Sequence, residues 1–319
     1  MAAMKLVTLV PVLAIVACGA APQNGASSPA PAGATGPAVA IARAGSAAPA
    51  PRAFAVAVRG HGPAVILIPG LASSGEVWAS TVAHLAGRYT CHVVTLAGFA
   101  GQPAIAAPML AAVRSALAAY IRDQRLEHPV IVGHSLGGFL ALDLAQAEPS
   151  LVGPLVIVDS LPFLTAAFDP HATAESAKLF AEPMRATLAK ATPDVFRARM
   201  RDTVATMVTS PADQATVLAW GVASDPASVG NAMAELMETD LRDAVAAITV
   251  PALVIGTWLG RPGGSRAETD RIFHEQYARL RGAEISIADR ARHFVMLDDP
   301  AFLFAQVDAF LGRARVVGR

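Results

Sequence analysis

Residues 133–137 read GHSLG, a serine set between two glycines, with His134 before it and Leu136 after it. A serine hydroxyl is a weak nucleophile until a neighbouring base takes its proton, so Ser135 does chemistry only where the fold brings that base. The spacing has a steric meaning. A nucleophile held at the tip of a strand-to-helix turn sits in a strained backbone conformation, and side chains two residues to either side collide there. Glycine at 133 and 137 relieves both collisions, and Gly138 lets the following helix pack closely. The N-terminus of that helix adds a favourable field for a developing anion. The competing reading is a small residue in a tight turn, and the local pattern alone does not separate the two.

Such an elbow requires a strand before it and a helix after it. The apolar run 130–133 supplies the strand and 136–147 the helix. Short apolar runs also predict strands at 54–58, 64–68, 91–96, 155–158, 252–255 and 284–288, of the kind covered on both faces of a sheet. Helical stretches fall between them, near 75–87, from Pro108 with Leu110, Val113, Leu117 and Ile121 on one face, and at 267–281 and 301–311. Strands alternating with helices predict an α/β fold with a mostly parallel sheet. Residues 162–243 break the alternation: they read as a helical insertion capping the sheet. Its methionines, among them Met184, Met200, Met207, Met233 and Met237, serve either an adaptable apolar pocket or the insertion's own core.

The charge balance is even, 25 basic against 25 acidic side chains, which excludes the basic excess of a nucleic-acid binder. The charges are unevenly placed, since the first acidic residue is Glu76. Ahead of it, Lys5 precedes an apolar run at 6–17 that is too short to span a bilayer and suits an export signal over residues 1–18. The segment 15–18, IVAC, resembles a bacterial lipobox, so Cys18 is either the site of lipid attachment or a small residue near an ordinary cut. Residues 19–53 are Ala, Pro, Gly and Ser with almost no large side chain, a composition that predicts a disordered tether. The chain is therefore expected outside the cytoplasm, either lipid-anchored to a bacterial membrane or periplasmic or secreted. Cys91 alone remains for the folded part and reads as a buried thiol.

In its motifs the chain resembles the α/β-hydrolase superfamily, over roughly residues 54–311. The segment 65–78, VILIPGLASSGEVW, is similar to the stretch that forms half of that superfamily's oxyanion hole. The resemblance implies that the backbone N–H of Leu71 is one donor and that of Leu136 the second. The segment 287–300, IADRARHFVMLDDP, is similar to the superfamily's last-strand loop, and this implies His293 as the general base. His134 is expected to point away from the elbow, and His61, His84, His92, His128, His171 and His274 to be surface or helix-end residues.

The acid follows less directly. Relatives commonly place it after the next-to-last strand, yet 257–265 holds no Asp or Glu, and Gly260 stands at the matching position. Other members place it after the preceding strand, where the chain has Asp159. Asp159 is the expected acid, with Glu268 and Asp270 as alternatives and Asp298 and Asp299 read as charges at the start of the last helix. Serine at the elbow implies acyl transfer through an acyl-enzyme, with no cofactor and no metal set in the sequence. The expectation is an exported serine hydrolase with a core at 54–161 and 244–319. It would act on a small-molecule ester whose apolar acyl part meets Phe163, Phe168, Met184 and Trp220 of the cap. Acyl transfer to another acceptor, amide or lactone hydrolysis, and a binding protein that has lost activity are the rival readings.

Overall fold

The computed structural model describes residues 52–260 and 264–317. The expected export signal, the lipobox and all but the last two residues of the expected tether lie outside the described residues.

Seven strands form one sheet: β1 (Phe54–Gly60), β2 (Ala64–Ile68), β3 (Thr90–Leu96), β4 (Val130–His134), β5 (Leu155–Val158), β6 (Ala252–Thr257) and β7 (Ala283–Ala288). Their order across the sheet is β1-β3-β2-β4-β5-β6-β7, antiparallel at β1 and parallel elsewhere. The mostly parallel α/β sheet is thus as expected. Residues in β4, β5 and β6 are buried throughout, which is why these strands are apolar without alternation. The sheet's two faces are covered by α1 (Ala79–Leu85), α2 (Met109–Asp123), α3 (Leu136–Ala147), α8 (Arg266–Gln276), α9 (Val295–Asp298) and α10 (Pro300–Val317). α3 is apolar almost all round because it is buried almost all round. Its one acid, Asp143, is matched by Arg114 of α2 at 3.1 Å and by Gln146 at 3.0 Å.

Between β5 and β6 the insertion folds as α4 (Ala174–Ala189), α5 (Pro193–Met207), α6 (Pro211–Val222) and α7 (Pro226–Glu238). Thr192, Ser210 and Asp225 each cap the helix that follows, and each is followed by a proline at the first helical position. These three pairs mark the helix starts in the sequence itself. Helices α4 and α7 pack together, as do α5 and α6. Glu235 of α7 accepts from the N–H groups of Met109 (2.8 Å) and Leu110 (2.7 Å), tying the cap to the exposed start of α2.

Boundaries differ from the sequence expectation at several elements, β1 among them, which runs two residues further to Gly60. The helix expected at 75–87 opens as a 3-10 turn (Gly75–Trp78) before α1, α8 stops at Gln276, and α10 runs on to Val317. β6 extends two residues further, to Thr257, because its pairing with β7 continues to Thr257↔Ala288.

Candidate active site

Ser135 follows β4 directly and precedes α3 with φ 52° and ψ −119°, a left-handed conformation costly for a residue with a side chain. The glycines around it are sterically required. A Cβ at 133 would stand 2.2 Å from the Gly137 carbonyl oxygen, and one at 137 would stand 2.2 Å from that of Ile68. A Cβ at 138 would meet the Ser160 Cβ at 2.6 Å. Backbone is packed against backbone at two of these places, so no rotamer change opens space. The N–H of Leu136, as the first residue of α3, has no intrahelical acceptor.

The turn after β2 lies against this elbow. A Cβ on Gly70 would come within 2.9 Å of His134 Nδ1 and 3.2 Å of Ser135 Cβ. Ala72 takes φ 53°, and Ser73 Oγ donates to the Leu71 carbonyl at 3.1 Å, fixing the Leu71–Ala72 peptide. Leu71 and Ser135 both line the cavity described below, whereas the side chain of Leu136 is buried in the core.

Asp159 leaves the end of β5 with φ 46°, its N–H donating to the Ile255 carbonyl of β6 at 2.6 Å. Its carboxylate accepts three bonds. Thr257 donates its N–H to Oδ1 (2.9 Å) and its hydroxyl to Oδ2 (2.7 Å), while His293 Nδ1 lies 2.6 Å from Oδ2. A carboxylate partner fixes the proton on Nδ1 and leaves Nε2 with its lone pair, the state in which an imidazole accepts a proton. The structure therefore brings Ser135, His293 and Asp159 to one cavity. Glu268 lies exposed in the first turn of α8, and Asp270 faces His274 at 3.5 Å on that helix. Neither is placed at His293. Thr257 carries no sequence signal of its own, because a threonine at a strand end has no chemistry to mark it until a carboxylate stands beside it. The signal available was the β5–β6 register, which pairs Val158 with Ile255 and so brings the end of β6, with Thr257, beside Asp159.

His134 does not simply turn away. It is fully buried, and its Nε2 donates to the His293 carbonyl at 3.0 Å. Burial, and then the neighbouring charge of His293, push its pKa well below the usual histidine value, so the ring stays neutral. His92 is also buried, in β3 and bonded to the Tyr120 hydroxyl at 2.8 Å, and is not the surface residue expected. Tyr277, buried below the acid, donates its hydroxyl to the Ser160 carbonyl at 2.8 Å, and burial followed by the Asp159 charge raises its pKa well above the ordinary value. Cys91 is a buried free thiol.

The cavity has a volume of about 180 Å³ and a mostly apolar wall from the cap, including Leu164, Phe168, Met200, Met207 and Met233. Of the cap residues expected to meet an acyl group, Phe168 lines the cavity, and Phe163, Met184 and Trp220 do not. Phe163 is completely buried with Ala166, Ala172 and Ala177, under the Arg242 guanidinium at 4.9 Å. Met184 is buried in the core on α4, and Trp220 lies half-buried against the cluster containing Val204, Val208 and Val217. Size and apolarity drew attention to these side chains, but which face of each helix looks inward is a tertiary property.

A family model described as the alpha/beta hydrolase family matches residues 65–307. Among curated relatives, a pimeloyl-(acyl-carrier protein) methyl ester esterase of Aeromonas hydrophila is 37% identical over 108 residues, 32% of this chain and 40% of that one. The enzyme of the same name from Nitrosomonas europaea is 28% identical over 209 residues, 63% of this chain and 78% of that one. The first match thus spans less than half of the relative's length. Among solved structures, the enol-lactonase of Burkholderia xenovorans superposes with a TM-score of 0.68 at 18% identity, covering 81% of this chain and 96% of that one. At that identity the likeness is one of fold.

Proposed function

The chain belongs to the alpha/beta hydrolase family, and on that premise we propose that it hydrolyses a small carboxylic ester with an apolar acyl part, using Ser135, His293 and Asp159. The observation that carries this reading is the 2.6 Å contact between His293 and Asp159 beside a cavity that Ser135 also lines. In the first step His293 Nε2 takes the Ser135 hydroxyl proton as Oγ bonds to the ester carbonyl carbon. The negative charge that forms on the carbonyl oxygen is met by the N–H groups of Leu71 and Leu136. Collapse breaks the ester C–O bond, and the proton on Nε2 goes to the departing alcohol. Water, deprotonated by the same nitrogen, then attacks the acyl-serine and releases the acid. Asp159 steadies the imidazolium in both halves without itself taking the proton. The esterase names of the two curated relatives support ester chemistry, and the apolar cap wall supports an apolar acyl group.

The test is labelling by a fluorophosphonate together with turnover of p-nitrophenyl esters of rising chain length. Native protein should react at Ser135 and turn over esters, and Ser135→Ala and His293→Ala should do neither. A native protein inert to both reagents would instead point to a binding protein on this fold. Preferred release of an amide-, lactone- or alcohol-transfer product would move the reading to the rival acyl-transfer reactions. Export of the chain, with anchoring through Cys18, belongs to the same proposal. Detergent partitioning of the cell-expressed protein that Cys18→Ala leaves unchanged would remove the anchor.

A further inference from the structure

The loop that carries His293 is bonded on both sides of that residue to the end of α5. Arg292 Nη1 donates to the carbonyls of Ala205 (2.8 Å) and Val208 (3.2 Å), which α5 leaves without intrahelical partners. The Phe294 N–H reaches the Met207 carbonyl at 3.4 Å. Asp298 closes the arrangement, its carboxylate accepting the N–H of Arg292 (2.9 Å) together with the N–H (2.9 Å) and hydroxyl (3.0 Å) of Thr209. Asp298 is the last residue of α9, so it is a clamp between cap and loop and not the helix-start charge expected of it. The same α5 presents Met200, Thr203, Val204, Thr206 and Met207 to the cavity.

One helix thus forms a wall of the cavity and holds the residues flanking His293. From the other side, hydrogen bonds among the described residues hold His293 at its carbonyl, by His134, and at its ring, by Asp159. Gly260 sits at the same junction: with φ 86°, it lies where a Cβ would be 2.5 Å from the Thr206 carbonyl oxygen and 3.4 Å from Arg292 Cγ. The loop after β6 carries no acid and serves here as a seat for α5.

We propose that Arg292 and Asp298 are positioning residues that make the placement of His293 depend on what fills the cavity beside α5, so that acyl length is read in turnover as well as in binding. This rests on the esterase reading above. A reacting group displaced by about 1 Å loses up to about 100-fold in rate, so a small shift of α5 is enough to matter. In the native enzyme kcat for the hexanoate p-nitrophenyl ester should exceed that for the acetate by about tenfold. Arg292→Gln should bring that ratio close to one while leaving the corresponding KM ratio in place, and Arg292→Lys should restore part of it. An equal loss on both esters, or none on either, overturns the proposal. Thr209→Val, which removes only the hydroxyl bond to Asp298, should lower the same ratio and covers the case in which Arg292→Gln folds poorly.

A second readout stands apart from turnover. Octan-2-one, which cannot be hydrolysed, should shift the imidazole nitrogen resonances assigned to His293 by their loss in His293→Ala. The shift should vanish in Arg292→Gln. No shift in the native protein overturns the inference, even where ester turnover is found. A shift without ester turnover keeps the inference and removes the esterase reading.

Discussion

His293 Nδ1 and Asp159 Oδ2 stand 2.6 Å apart, and the carboxylate comes from the end of β5, one strand away from the end of β6, where 257–265 holds no acid. Amide replacement at 159 keeps the shape but offers the imidazole the wrong partner, favouring the tautomer with its proton on Nε2. In Asp159→Asn we expect kcat for p-nitrophenyl esters to fall by about 10³–10⁴-fold. Glu268→Gln and Asp270→Asn should stay near native turnover. Retention of turnover in Asp159→Asn, or its collapse in either of the other two, would assign the acid elsewhere.

Thr257 holds Asp159 with two donors, its N–H on Oδ1 and its hydroxyl on Oδ2, the oxygen that also faces His293. Thr257→Val removes the hydroxyl and keeps both the backbone bond and the side-chain volume. A hydrogen bond to a charged group contributes about 1.5–3 kcal/mol, so we expect a loss of about tenfold or more in kcat/KM. Thr257→Ser should recover most of it. Equal rates in the two variants would show that the backbone N–H alone orients the acid.

His134 makes stability depend on pH. Its folded-state pKa lies well below the usual histidine value of about 6.5, through burial first and the His293 charge second. The unfolded chain binds this proton below about pH 6.5 and the folded chain does not, so the contribution is full above that pH and is lost as pH falls. The loss proceeds at about 1.4 kcal/mol per pH unit until the folded-state pKa is reached. Buried His92 acts in the same direction, so the quantity to measure is the difference between native protein and His134→Gln. Denaturant midpoints taken from pH 7.5 down to pH 5 should converge as pH falls. Parallel curves would place the slope on other groups.

What the sequence made legible follows from how local each signal is. β2 and β5 were delimited to the residue, as was α3, because a short apolar run closed by Pro, Gly or Ser is a self-contained signal. The steric reason for glycine at 133 was equally local, a Cβ there meeting the Gly137 carbonyl oxygen at 2.2 Å, whereas at 137 the obstacle is the Ile68 carbonyl oxygen of β2, also at 2.2 Å. The partners of His293 were harder to read. Thr257 belongs to it only through the β5–β6 register, and His134 only through the way the last loop lies over the elbow. The cap was least legible. Helical spacing there marks apolar faces but does not say whether a face meets the cavity, as with Met200 and Met233, or the core, as with Met184.

With Asp159 as the proposed acid, Gly260 offers a test of why the carboxylate would not be carried by β6. By the resemblance of this loop to the superfamily's acid-bearing loop, Gly260 stands where a carboxylate is expected, so Gly260→Asp is the change that resemblance invites. The local geometry opposes it twice. The backbone has φ 86°, a region that disfavours a residue with a Cβ, and that Cβ would lie 2.5 Å from the Thr206 carbonyl oxygen at the end of α5. Relief requires the loop or α5 to move, and α5 is bonded to Arg292 through Ala205 in its last turn and, just past its end, to Asp298 through Thr209. Strain of this kind costs about 1–3 kcal/mol, so we expect Gly260→Asp to lower the melting midpoint and to reduce ester turnover in an otherwise native background. Placed in Asp159→Asn, it should not restore turnover, because the loop that would present the new carboxylate is the seat of the cap. Recovery of turnover in the double variant would show instead that the β6 loop adapts and that the choice of strand for the acid is free. Gly260→Ala separates the two costs, since it brings the Cβ without the charge. Its melting midpoint should fall as far as that of Gly260→Asp if backbone crowding dominates.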